Sequence, residues 1–137
     1  MPERVSRSLD DTARIAGELV REWRVGDCVA LDGPMGAGKT TLVRSIVEAL
    51  GGDPREVSSP TFALLNMYAT PGGPVFHLDA YRVSGAEDFE GIGFDELLEQ
   101  EGYVIVEWPS RVEDVLPART RRVRIEVINS DTRRLSW

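Results

Sequence analysis

Apolar residues recur at helical spacing over residues 8–23. Ala16, Leu19, Val20 and Trp23 form one stripe, while Arg14, Glu18 and Arg21 fall off it as a solvated face. Ser8, with Asp11 three residues on, supplies the start of this amphipathic helix. The period then changes: after Gly26, residues 27–31 make a short apolar run that predicts a strand. Helical spacing returns from Gly38, with Leu42, Val43, Ile46, Val47 and Leu50 in line and Gly51-Gly52 as the stop. A loop over residues 53–60 leads to two predicted strands, 61–69 and 75–81, joined as a hairpin at Pro71-Gly72-Gly73. Residues 86–91 and 94–100 read as short acidic helical segments, 102–108 as a buried strand and 112–116 as a helical turn. Residues 122–128 alternate strictly, with Val123, Ile125 and Val127 opposite Arg122, Arg124 and Glu126, which predicts a half-solvated antiparallel strand.

Composition narrows this pattern to one core. With 137 residues, 42% of them hydrophobic, the chain is expected to fold as a single domain, residues 1–137, that buries about two-thirds of its unfolded surface. No internal repeat, low-complexity stretch or linker interrupts it. A formal net charge of -7 argues against unaided binding to nucleic acid, because a phosphate backbone needs a basic face. If RNA is involved, a partner is expected to hold it. The first residues lack the apolar stretch of a signal peptide, and no run approaches a membrane span, so the expectation is a soluble, cytoplasmic protein. Cys28, the only cysteine, lies in an apolar run and reads as a buried, inert thiol.

The chemistry is concentrated where the first strand meets the second helix. Gly33-Pro34-Met35-Gly36-Ala37-Gly38-Lys39-Thr40 fits a phosphate-binding loop: a glycine, four residues, Gly-Lys, then Ser or Thr. Such glycines let the backbone curl so that successive N–H groups point into one hollow, and the helix that follows adds the positive end of its dipole. Gly36, Ala37, Gly38 and Thr41 would form the cradle, Lys39 would reach the terminal phosphates, and the Thr40 hydroxyl would ligate a bridging Mg2+. Of the 16 lysine and arginine residues, 15 are arginine, and the one lysine stands in this loop. A strand–loop–helix context of this kind predicts an α/β fold of the P-loop NTPase type: three layers, with a mixed sheet carrying an antiparallel hairpin and helices on both faces.

Two acids are placed to complete that site. Glu107 ends the apolar run Tyr103-Val104-Ile105-Val106, so the strand delivers it to the sheet edge where α/β ligands bind. In the run 76–82, alternation puts Phe76, Leu78 and Ala80 on one face and His77, Asp79 and Tyr81 on the other. His77 has no Cys/His cluster around it and reads as an orienting hydrogen-bond partner rather than a ligand or base. ATP is the preferred nucleotide, since guanine recognition by an Asn-Lys-x-Asp motif needs a second lysine.

The set Gly36-Ala37-Gly38-Lys39-Thr40-Thr41-Leu42, Ser59-Pro60-Thr61-Phe62, His77-Leu78-Asp79-Ala80-Tyr81-Arg82 and Glu107-Trp108-Pro109, in this order and spacing, resembles the TsaE (YjeE) family. That family is the small ATPase subunit for threonylcarbamoyl modification of the adenosine beside the anticodon in tRNAs reading codons that begin with A. The likeness runs from Thr12 to Pro109 and implies that Lys39 and Thr40 bind phosphate and Mg2+. It further implies that Glu107 is the acidic partner of the metal, Asp79 serves catalysis, Thr61 lies in a nucleotide-responsive loop and Thr12 lies near the base. The implied partners are the two other subunits of the transfer complex, of the TsaB and TsaD type, with tRNA held through them and no membrane involved.

Pro34 departs from the family, which has an acidic residue there, and removes one N–H from the loop. The arginines at 119, 121, 122, 124, 133 and 134 have no assigned role: a solvated basic face and a docking surface for an acidic partner or tRNA are both compatible with them. A small-molecule kinase and a nucleotide-dependent assembly module with negligible turnover are the competing functions. With no lid evident in the sequence, slow hydrolysis by the chain alone is expected.

Overall fold

The computed structural model describes residues 2–58 and 64–137. The chain runs β1 (Glu3–Ser6), α1 (Leu9–Arg21), β2 (Cys28–Asp32), α2 (Lys39–Ala49), β3 (Leu65–Tyr68), β4 (Val75–Asp79), α3 (Ala86–Gly91), α4 (Phe94–Glu99), β5 (Tyr103–Glu107), β6 (Arg121–Asn129) and β7 (Thr132–Ser136). Short 3-10 turns stand at Pro54–Glu56, Pro109–Arg111 and Glu113–Val115. α1 begins as its sequence predicts: Asp11 N–H donates to Ser8 Oγ at 3.0 Å, although the reciprocal bond to the Asp11 carboxylate comes from Arg7 N–H rather than from Ser8.

The strands form one seven-stranded sheet in the order β1-β7-β6-β2-β5-β4-β3. β6, β2, β5 and β4 run parallel, and antiparallel strands flank them at both ends. The fold is therefore the three-layer α/β arrangement with a mixed sheet, and β3–β4 is the antiparallel hairpin. Period-two alternation sorts the central strands into two cores. Val29, Leu31, Val75, Tyr103 and Ile105 face α1 and α2, which contribute Ile15, Ala16, Leu19, Leu42, Val43, Ile46 and Val47. Cys28, Phe76, Leu78, Val104 and Val106 face the other way, onto Phe89, Phe94 and Leu97 of α3 and α4. Burial pushes the Cys28 thiol up to about 11, as an inert core cysteine requires.

Some expectations need correction. β6 pairs in parallel with β2 and is antiparallel only to β7, so it is a joint between the two halves of the sheet rather than a purely antiparallel strand. β1 and β7 were not expected: both are short and rich in arginine or polar residues, and β1 gains its order by pairing with β7, which in turn pairs with β6. The strand expected over 75–81 ends at Asp79, and of the strand expected over 61–69 only Leu65–Tyr68 falls in a strand among the described residues. Residues 59–63, with Thr61 among them, lie outside the described residues. No helix among the described residues is long and apolar enough to cross a membrane.

Candidate functional site

β2 delivers the chain from the middle of the sheet into the loop 33–38, and α2 starts at its far end. Gly33 is fixed by space: a Cβ there would lie 2.5 Å from Ile125 Cγ2 and 2.7 Å from the Ile125 carbonyl oxygen. Gly38 is fixed by conformation, with φ 98° and ψ 27° as it leads into Lys39. No side chain caps α2, and its first turn holds no acid, so the free N–H groups and the dipole are left open to an anion. Pro34 lacks an N–H yet contributes its carbonyl, which accepts from Ala37 N–H at 3.1 Å and closes the loop.

Register gathers the chemistry. Leu31, Glu107 and Asp79 stand side by side across β2, β5 and β4, at the C-terminal ends of three parallel strands. Because alternate residues share a face, Glu107, Asp79 and His77 lie on the α2 side, under the phosphate loop. There a cleft of about 520 Å³ is lined by Lys39, Thr40, Asp79, Tyr81, Glu107 and Trp108, among others. Of the residues expected from sequence, Gly36, Gly38, Lys39, Thr40, Thr41, Asp79 and Glu107 all reach this cleft. Thr12 does not. Its hydroxyl bonds Ser6 Oγ at 2.7 Å and lines a second pocket, about 290 Å³, on the other side of the loop with Ala37, Gly38 and Thr41.

The Lys39 ammonium is buried. It donates to the Gly33 carbonyl at 2.6 Å and stands 3.8 Å from the centre of the Trp108 ring. Burial lowers its pKa, while the charges of Glu107, Asp79 and Asp32 pull the other way. Asp79 is shifted upward, chiefly by burial and further by the Glu107 charge, against the Tyr81 N–H that bonds its Oδ1 at 2.9 Å. A carboxyl so placed accepts a proton more readily than an exposed aspartate does.

Glu107 is oriented by His77, whose Nε2 bonds its Oε2, while His77 Nδ1 lies 3.1 Å from the Tyr68 hydroxyl. The Tyr68 hydroxyl is also 3.1 Å from the Ser58 carbonyl. It holds one proton, so it donates either to Ser58 or to His77. This is the orienting role expected of His77. Roles missed in the sequence are those of Tyr68, buried behind the cleft as the second partner of His77, and of Trp108, whose ring lies over Lys39. Trp108 has φ 57° and ψ 53°, the only non-glycine residue with positive φ among the described residues, and this turn folds its ring back over the lysine. The following Pro109, which disfavours right-handed helix at the residue before it, was the available signal.

Thr40 and Glu107 both line this cleft, and a hydroxyl and a carboxylate are the oxygen donors that suit Mg2+. Among the described residues no three His, Cys, Asp or Glu side chains form a metal cage, so an ion here would be completed by water and phosphate oxygens.

The family model described as "Threonylcarbamoyl adenosine biosynthesis protein TsaE" matches residues 6–135. The chain is 37% identical over 135 residues to the tRNA threonylcarbamoyladenosine biosynthesis protein TsaE of Treponema pallidum, covering 96% of each. It is 35% identical over 134 residues to the protein of that name from Aquifex aeolicus, covering 91% of this chain and 96% of that one. The crystal structure of Bacillus subtilis YdiB superposes with a TM-score of 0.75 at 26% identity, covering 98% of this chain and 82% of the other. The match along nearly the whole chain, by sequence and by fold, places this protein in the TsaE family.

Proposed function

We propose that the chain is the ATP-binding and ATP-hydrolysing subunit that supports threonylcarbamoylation of the adenosine beside the anticodon. In this reading it acts in the cytoplasm as one domain with partner subunits of the TsaB and TsaD type. The observation that carries the reading is the convergence of Lys39, Thr40, Asp79 and Glu107 on one cleft at the mouth of a phosphate-binding loop. Lys39 binds the terminal phosphates as a compact charge, and the loop amides between Gly36 and Thr41, apart from the Ala37 N–H held by Pro34, orient them. Thr40 and Glu107 would hold Mg2+, which would supply positive charge to neutralise the phosphate oxygens. Asp79 accepts a proton from the attacking water, and His77 keeps the Glu107 carboxylate aimed into the cleft. The base occupies the pocket beside Thr12. tRNA is held by the partners, in keeping with a net charge of -7.

Thr61 is the candidate sensor of the γ-phosphate, with Phe62 transmitting its movement to a partner. ATP, and not ADP, should then promote docking onto a purified heterodimer of the two partner subunits, and docking should raise phosphate release. Thr61→Ala should weaken that coupling more than it weakens ATP affinity. Equal association with ATP, ADP and no nucleotide, with hydrolysis unchanged, would overturn the coupled mechanism. Tight ATP binding with no phosphate release under any partner condition would point to an assembly module.

A further inference from the structure

We propose that Arg133, on β7, is a positioning residue that sets the phosphate-binding loop in its binding geometry from outside the cleft. Arg133 Nε donates to the Ala37 carbonyl at 2.8 Å, and Nη2 lies 3.5 Å from the Gly36 carbonyl. Its Nη1 donates to the carbonyls of Asn129 at 2.8 Å and Thr132 at 3.1 Å, which close the turn between β6 and β7. One planar guanidinium therefore joins that turn to the phosphate loop, 96 residues away in sequence.

Peptide geometry turns this joint into a statement about ligand binding. A trans peptide points its C=O and N–H in opposite directions, so holding the Ala37 oxygen toward Arg133 aims the Gly38 N–H away from it. That N–H belongs to the loop segment expected to cradle phosphate, just before Lys39. The neighbouring peptide is set in the same sense, with the Gly36 oxygen toward Arg133 and the Ala37 N–H held by Pro34.

Arg133 also differs from the arginines around it. Arg121, Arg122, Arg124 and Arg134 each lie against a carboxylate, respectively Asp27, Glu113, Asp32 and Glu3. No ion pair of the described residues includes Arg133. Its charge is spent on backbone carbonyls, which raises the positive potential behind the loop as well as fixing it. Lysine cannot replace it, because an ammonium lacks the fork that spans these carbonyls.

The consequence for affinity rests on the ATP-binding reading; the consequence for the loop does not. Titration calorimetry of wild type, Arg133→Gln and Arg133→Lys with Mg-ATP and with inorganic tripolyphosphate tests the first. Both variants should lose about tenfold in affinity, the scale of one hydrogen bond from a charged group, and lose it equally for the two ligands because the defect lies in the phosphate cradle. Hydrogen exchange at the Ala37 amide of the ligand-free protein tests the second and should be faster in both variants. Free guanidinium at low millimolar concentration should restore part of the affinity of an Arg133→Ala protein.

Full affinity in Arg133→Lys would overturn the proposal, since charge alone would then suffice. Weaker binding with unchanged Ala37 exchange would also overturn it, because Arg133 would be touching the ligand rather than positioning the loop. If wild type bound neither ligand, the ATP-binding reading would fail. The exchange comparison would still decide the role of Arg133: faster exchange in the variants supports it and equal exchange refutes it.

Discussion

The two halves of the sheet solve different problems with the same strand geometry. β2, β5 and β4 are parallel and covered on both faces, so they are apolar nearly throughout and, His77 in the middle of β4 apart, carry their polar groups where they end. Those ends are where Glu107 and Asp79 stand. β6, β7 and β1 are covered on the α1 side alone, where Val123, Ile125 and Leu135 join the core. Their other face carries Arg122, Arg124 and Arg134, each against a carboxylate. The parallel half holds the reactive groups. The flank holds the scaffold of the phosphate loop, through Ile125 against Gly33 and Arg133 against Ala37. A reactive cleft thus needs a region that is not itself reactive to keep its backbone in place.

If the division is right, the largest effects belong to the ends of the parallel strands. Glu107→Gln and Asp79→Asn should each slow single-turnover ATP hydrolysis by roughly a hundredfold or more while nucleotide binding stays measurable, because shape is kept and charge is lost. Wild-type rates in both would move the chemistry elsewhere. Asp79→Asn carries a second signature. The pKa of Asp79 is raised in the fold, so between the ordinary value of 3.8 and that raised value the unfolded chain gives up its proton first, and stability falls as pH rises. The Asn variant should therefore be more stable than wild type at neutral pH and lose that advantage below pH 3.8. Melting temperatures of the ligand-free proteins across pH would show it.

Lys39→Ala comes next, with ATP affinity down by about a hundredfold in calorimetry, the scale of a charge-assisted contact at its upper end. Stability should not fall with it. Burial lowers the Lys39 pKa, so the fold disfavours the charged ammonium, and its removal relieves that cost at neutral pH. A variant that bound ATP normally would show that the loop is not a phosphate site. His77→Phe should cost about 1–3 kcal/mol in urea denaturation, because the buried Glu107 carboxylate loses its donor. An unchanged midpoint would mean that Glu107 is satisfied without His77.

The same contrast explains what could be read in the sequence. Residues 103–107 and 75–79 announce themselves because strands buried on both faces must be apolar, and a carboxylate ending such a run stands out. The loop was legible because its glycines and its lone lysine are chemically constrained. β1 and β7 were not legible: Glu3–Ser6 has one buried position and Thr132–Ser136 contains two arginines, so neither carries a hydrophobic period. The order of β1 comes from partners more than 120 residues away, Glu3 opposite Ser136 and Ser6 opposite Arg133, and β7 is held between β1 and its hairpin partner β6. The conformation of Trp108 has only the following Pro109 as a local signal, and the reach of Arg133 to Ala37 is a product of tertiary packing that no local pattern encodes.

The smallest effect should come from the outer face of the flank, and its smallness is informative. Arg122 bonds Glu113 through both terminal nitrogens, an arrangement that favours strength, yet the side chains keep 52% and 43% of their exposure. Water screens a pair so exposed, and holding two long side chains costs entropy, so the interaction is worth roughly 0.5 kcal/mol or less. Arg122→Gln should shift the urea midpoint by no more than that and leave ATP affinity unchanged, because the residue points away from the face that carries Ile125 and the loop. The shift should shrink further at high salt. A loss of nucleotide affinity in this variant would mean that the outer face is coupled to the cleft through β6, and the separation between the two halves of the sheet would fail. If affinity holds and only association with the partner heterodimer weakens, the outer arginines form a docking surface. If neither changes, they are a solvated face with its charges paired.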